Sequence, residues 1–324
     1  MSDETLLYLS EADVRAAGLP MPVLIKALED AFRDLGEGRA EVPPKIGVHP
    51  SPSSFFDAMP ALWPAASAAA VKWVGAFSGN RERGQPGTSA LVVLSDPRDG
   101  RPLAVMDGRW LTLRRTAACS ALSSRFLARP GARSLGVLGC GLLARAHVEA
   151  FRAVLPLERV RTFDRHPERA QALAEEIVRD HGLAASAHGT CREVVEGMDV
   201  VLTAGAIASL LDPPIAAGWL APGAFGCSVD YASPWSAAAL GEIDLIATDH
   251  RPQLEAKRGS GPLGRIPPVH ADLSELVTGK KAGRTTEAQR TLTCNLGLAL
   301  TDVAAAVLVY RRAREAGLGT RLPL

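Results

Sequence analysis

The chain has 324 residues, of which 47% are hydrophobic and 22% charged; this is ordinary for a soluble globular enzyme and enough for about two domains with separate cores. A formal net charge of +1 excludes a nucleic-acid or acidic-membrane partner captured through bulk electrostatics. Five scattered cysteines (Cys119, Cys140, Cys191, Cys227, Cys294) without C-x-x-C spacing exclude a disulfide framework and a zinc site, and point to reduced thiols. Met1-Ser-Asp-Glu-Thr5 has no apolar signal core and no aliphatic run reaches a membrane span, so a cytoplasmic protein without a metal is expected.

From the N-terminus, Val23, Leu24, Ala27, Leu28, Ala31, Phe32 and Leu35 recur at helical spacing, predicting an amphipathic helix over Met21–Leu35 ended by Gly36 and Gly38. The prolines of Val42–Pro50 forbid a helix and predict an extended segment whose one charge is Lys45. Ala69–Gly75 reads as a strand with a single lysine, Lys72, between Val71 and Trp73. Either Lys72 is buried, at a desolvation cost that lowers its pKa, or it lies on the wet face of an edge strand. Ser89–Ser95 and Arg101–Met106, joined by the turn Asp96–Gly100, predict a hairpin, and with the Lys72 strand an antiparallel sheet. Leu111–Ala128 is a helix stopped by Pro130; its Arg114-Arg115-Thr116 could meet an anion or simply form a solvated face.

The most informative stretch follows. Ser134-Leu-Gly-Val-Leu138 is an apolar strand leading into Gly139-Cys-Gly-Leu-Leu-Ala144, then a helix over Arg145–Val154 and a second strand, Arg159–Phe163, that ends in Asp164. This is the order of a dinucleotide-binding βαβ unit. Gly139 allows the tight turn, Gly141 admits a pyrophosphate to the backbone, and Ala144 lets the helix pack on the strand. The helix N-terminus offers N–H groups to phosphate, and Asp164 can accept from both ribose hydroxyls. Pro167–Asp180 is the next helix. Apolar strands at Asp199–Ala204, Ala224–Asp230 and Asp244–Asp249 alternate with helices, as a parallel sheet covered on both faces requires, and place Asp230 and Asp249 at its ligand-binding edge. Thr286–Ala316 is expected to be largely helical, its stripe of Leu296, Leu300, Val303, Val307 and Tyr310 returning to the N-terminal domain or burying an oligomer contact.

With these pieces placed, the chain resembles the ornithine cyclodeaminase/mu-crystallin family over nearly its whole length. The resemblance rests on Pro43-Pro-Lys45, Met59-Pro-Ala61, Val71-Lys-Trp-Val74, Asn80, Met106-Asp-Gly108, Leu111–Ala118, Phe126–Pro130, Gly139-Cys-Gly141, Gly283-Arg284, Leu296–Leu300 and Asp302 in that order. It implies a Rossmann-type doubly wound α/β domain beside an α+β domain for substrate and dimerisation. The expected division is 1–118 for substrate and dimerisation, 119–303 for NAD(P), and 304–324 as a helix returning to the first domain.

The resemblance also implies roles. Lys72 falls on the family's catalytic lysine and Asp230 on its second catalytic residue, while Arg115 falls on the arginine that pairs with the substrate carboxylate, with Lys45 where many members carry arginine. Cofactor contacts are expected from Thr88, Thr116, Gly139, Gly141, Leu142, Leu143, Asp164, Arg165, Thr203, Val229 and Asn295. Leu143 departs from the glutamine often found there. Asp164 argues for NAD by repelling a 2′-phosphate, whereas Arg165 and His166 keep NADP open. The implied chemistry is hydride transfer at the α-carbon of a small amino or imino acid, as an amino-acid dehydrogenase or imine reductase. The alternatives are an ornithine cyclodeaminase using NAD catalytically, for which Asp57 would hold the distal ammonium, and a non-catalytic binding protein. A homodimer is the implied assembly.

Overall fold

A computed structural model describes residues 5–51, 54–208, 210–259 and 261–324. The chain forms two compact units, Met1–Arg115 with Leu298–Leu324, and Thr116–Gly297.

The first unit opens with β1 (Thr5–Leu9), α1 (Glu11–Ala17) and α2 (Met21–Gly36). Leu24, Ile25, Leu28, Ala31 and Phe32 of α2 are buried, and Val23 of the predicted apolar face is exposed. Strands β2 (Ile46–Ser51), β3 (Ser54–Trp63), β4 (Ala68–Phe77), β5 (Thr88–Ser95) and β6 (Pro102–Asp107) follow, and α3 (Arg109–Leu127) carries the chain into the second unit. The hairpin and its antiparallel pairing with the Lys72 strand, β4–β6, form as expected, and β3 extends the antiparallel run beyond β4. The sheet is nevertheless mixed, because β1, which the sequence pattern did not reveal, pairs parallel to β6.

The second unit is a parallel sheet. β7 (Ser134–Leu138), α4 (Leu142–Arg152), β8 (Arg159–Phe163), α5 (Pro167–His181), β9 (Ala184–Ala187), α6 (Cys191–Val195) and β10 (Val200–Thr203) make its first half. β11 (Phe225–Ser228), α7 (Ala237–Gly241), β12 (Leu245–Thr248), α8 (Arg251–Lys257), β13 (Ala271–Asp272), α9 (Leu273–Val277) and β14 (Thr291–Cys294) complete it. The order is β13-β12-β14-β11-β10-β7-β8-β9, with every pairing parallel, so the winding reverses between β7 and β10. Helix α4 starts at Leu142, directly on the glycine turn and one turn earlier than expected.

The first unit is completed by α10 (Ala299–Glu315) and β15 (Thr320–Pro323), which pairs with β1. Here the expectation of a largely helical Thr286–Ala316 fails. Thr291–Cys294 is a fully buried strand between β11 and β12, and Gly297 at φ 85° separates it from the helix. Thr291-Leu-Thr-Cys294 is too short for its alternation to tell a strand from a helical turn, so only its pairing identifies it as a strand. An expected boundary at 303/304 would cut α10, which packs as one piece on α1, α2, β3, β4 and β5.

Among the described residues no helix is long and apolar enough to cross a membrane, and no cluster of His, Cys, Asp and Glu could hold a metal ion. No disulfide joins the five cysteines among the described residues.

Candidate active site

Period two along β4 puts Ala68, Ala70, Lys72 and Val74 on one buried face. β4 is an interior strand, with Lys72 opposite Met59 of β3 and Val92 of β5, so the wet-edge alternative does not hold. Lys72 is 1% exposed. Its Nζ donates to Asp302 Oδ1 at 2.9 Å and to Thr112 Oγ1 at 3.3 Å. Burial is the chief cause that brings its pKa down to about 7; the nearby Arg115 and Lys45 add to this, and Asp302 opposes it.

Arg115, on α3, is also buried, not on a solvated face. Its Nε lies 2.9 Å from the same Asp302 oxygen. That contact is an ion pair out of line for hydrogen bonding, so the Nε–H has no acceptor among the described residues. Asp302 stands in the first turn of α10, where the helix dipole favours a carboxylate. In the sequence it stood as one of the residues that carry the family resemblance, the one charge in an apolar run, with no role attached. Its partners could not be read there, because they lie far away in the chain. Lys45 and Asp57 form a second buried pair, Nζ to Oδ2 3.6 Å, in the same unit. Thr88 begins β5 opposite Ala76, several positions along β4 from Lys72, and is partly exposed.

In the second unit, the glycine turn sits where the winding reverses, the edge at which such sheets bind ligands. Gly139 has φ +90°, and a Cβ there would meet Gly205 N at 2.8 Å, so glycine is required twice over. Gly141 caps α4 without a side-chain hydrogen bond, and a Cβ on it would meet nothing within 4 Å. An open cradle at an uncapped helix N-terminus fits a pyrophosphate. Leu142 is exposed, as is Arg165, and Leu143 is partly so. Asp164 accepts from the Cys140 N–H at 2.8 Å and from the His166 N–H at 3.0 Å, bracing the turn. Thr116 lies on α3 at the start of this unit, partly exposed.

Asp230 closes β11 and is 1% exposed. Its Oδ1 accepts from Thr203 Oγ1 at 2.7 Å and Ser228 Oγ at 2.8 Å, and its Oδ2 from Gly205 N at 3.2 Å. Burial outweighs these donors and pushes its carboxyl above the usual range. Tyr231 and Ala232 follow at φ 60° and 55°, left-handed for non-glycine residues, the kind of strain that collects at functional sites. Thr203, assigned to the cofactor by resemblance, thus pins Asp230, and Val229 stands partly exposed beside it. Asn295, at the end of β14, accepts from Thr293 and donates to Ser120 at 3.3 Å. Ser120 in turn meets His147 Nε2 at 3.0 Å, while His147 Nδ1 lies 2.7 Å from the Leu143 carbonyl. Burial holds this histidine down to about 4, so the ring is neutral and braces the first turn of α4. Asp249 binds the Leu296 and Gly297 N–H groups and shapes the chain after β14.

A doubly wound parallel sheet with a glycine turn at its reversal point defines a dinucleotide-binding α/β protein. The chain belongs to the ornithine cyclodeaminase/mu-crystallin family, whose profile matches residues 7–317. It is 32% identical to the nodulation efficiency protein NfeD of Rhizobium meliloti over 316 residues, 97% of each chain. The structure of Thermococcus litoralis Δ(1)-pyrroline-2-carboxylate reductase in complex with NADH and L-proline superposes with a TM-score of 0.88 at 30% identity, covering 98% of this chain and 100% of that one. An archaeal alanine dehydrogenase dimer with bound NAD gives 0.88 at 28% identity, covering 99% and 100%.

Proposed function

We propose that this protein is an NAD(H)-dependent oxidoreductase acting at the α-carbon of a small amino or imino acid. The observation that carries the reading is Lys72, fully buried, hydrogen-bonded to Asp302 and brought to a pKa of about 7. A general acid or base works best when its pKa lies near the working pH. Arg115 offers a buried fork for the substrate carboxylate. NADH, when bound, supplies the hydride that reduces the C=N carbon. In reduction Lys72 Nζ gives a proton to the substrate nitrogen, and in oxidation it takes that proton back. Gly139, Gly141 and the N-terminus of α4 hold the pyrophosphate, and Asp164 the adenosine ribose, which favours NAD over NADP. Asp230, held by three donors on a strained turn, is the second group at the reacting end of the cofactor.

The choice among reactions turns on Asp57. Its carboxylate already faces Lys45 at 3.6 Å, and both side chains are buried. A diamino substrate would have to compete with that internal cation, so a substrate with one nitrogen, as for a dehydrogenase or imine reductase, is favoured. Cyclodeamination is the second reading, favoured by the presence of the acid itself. Incubation with ornithine and NAD separates the two: proline and ammonia without net NADH means cyclodeaminase, and NADH formation means dehydrogenase. A panel of cyclic and linear imino acids with NADH then tests the first reading, and no oxidation of NADH with any of them would overturn it.

The assembly we propose is a homodimer. The outer face of the first unit's sheet exposes Ile46, Val48, Trp73 and Leu91, with Phe56 stacked on Trp73 at 5.3 Å. So apolar a face is suited to a second copy.

A further inference from the structure

Asp302 meets two cations through one oxygen. Its Oδ1 lies 2.9 Å from Lys72 Nζ and 2.9 Å from Arg115 Nε, while its Oδ2 is buried and accepts no hydrogen bond among the described residues. A carboxylate serving only to staple α10 to the sheet would use both oxygens, since an unbonded buried acceptor costs stability. We propose that Asp302 is a positioning residue whose charge is divided between Lys72 and Arg115, so that a substrate carboxylate taken by Arg115 returns Asp302 to Lys72 and keeps that lysine protonated for the substrate nitrogen. The proposal rests on the function proposed above for the identity of the substrate, but the sharing itself is a property of this chain's own residues.

The charge count supports it. Lys72 is faced by Asp302 from α10, by Arg115 and Thr112 from α3, and by Lys45 from the segment before β2, itself paired with Asp57 of β3. Setting aside the Lys45–Asp57 pair, one anion serves two buried cations. A dry cluster with one excess positive charge is unfavourable, and its cheapest relief is to release the Lys72 proton. A bound carboxylate removes the excess, and the ammonium form is then favoured. Substrate binding and proton loading become one event, and the acid is armed only when there is a nitrogen to receive the proton.

The test follows Lys72 directly, in the NADH-bound protein labelled with ¹³C at the lysine Cε, its resonance identified by loss in Lys72→Met. The wild-type midpoint is expected near 7. Asp302→Asn should lower it by about one unit or more, and Arg115→Gln, which leaves Asp302 to Lys72 alone, should raise it by a similar amount. Opposite shifts support the sharing; a midpoint unmoved or lowered in Arg115→Gln overturns it, and that variant decides alone should Asp302→Asn not fold. In turnover, the proton-dependent limb should lie at higher pH in kcat than in kcat/KM, because only kcat reports the substrate complex. Coincident limbs overturn the coupling. Opposite NMR shifts in a protein that turns over no amino or imino acid would keep the sharing and sink the functional reading instead.

Discussion

The two units hold their buried charges by opposite means. The first neutralises charge with charge: Lys72 and Arg115 against Asp302, Lys45 against Asp57. The second satisfies its carboxylates chiefly with neutral donors, hydroxyls and backbone N–H groups around Asp230 and backbone N–H groups on Asp249. An ion cluster responds strongly to any charge added or removed, because its members interact through a low dielectric. A carboxylate in a cage of neutral donors keeps its geometry whatever binds nearby. The first arrangement suits a group that must change protonation, and the second a group that must stay in place.

The comparison breaks most directly at Lys72. Lys72→Ala is expected to cost on the order of 10³-fold or more in turnover while the dissociation constant for NADH stays within about twofold, because general acid–base groups contribute about 10²–10⁴ and Lys72 is not among the residues proposed to hold the cofactor. Steady-state rates beside fluorescence titration with NADH check this. Asp230→Asn should lower turnover about 100-fold and also destabilise the fold by roughly 1–3 kcal/mol, since an amide N–H₂ would face a donor where a carboxylate oxygen accepts now. Urea unfolding measures the second effect, and an unchanged midpoint would deny the caged character of this carboxylate.

The glycine turn separates folding from binding. Gly141→Ala meets open space and should unfold as the wild type does, yet weaken NADH about tenfold or more where the pyrophosphate must approach. Gly139→Ala should itself destabilise the unit, because φ is +90° and the new Cβ meets Gly205 N at 2.8 Å. Asp164→Ala removes both the proposed ribose acceptor and the bond to the Cys140 N–H, so the preference for NADH over NADPH should fall by about tenfold or more, given the roughly 1.5–3 kcal/mol of a hydrogen bond to a charged group. A further effect concerns stability against pH. Lys72 has a folded pKa of about 7 against an ordinary 10.5, so across that window the unfolded chain holds a proton the folded chain has released. Its contribution to stability therefore rises with pH over the window and is lost as pH falls through 7. Lys72→Met should flatten that slope in unfolding curves taken between the two values.

The sequence by itself determined the dinucleotide unit. Strand, glycine turn, helix and acid are adjacent in the chain, each residue's job is local, and the turn from Gly139 to Ala144 reads the same in one dimension as in three. It also determined the amphipathic α2 and the β5–β6 hairpin, where period and turn chemistry agree. It could not determine β1, β14 or β15, short strands whose identity lies in their partners. Nor could local pattern decide whether Lys72 was wet or buried, since the same alternation serves an edge strand and an interior one. Only the tertiary structure decided that β4 lies inside the sheet. Only that structure brought Asp302 from α10, 230 positions along the chain, to within 2.9 Å of Lys72. An ion cluster is held together by distances in space, and residue spacing along the chain carries no record of them.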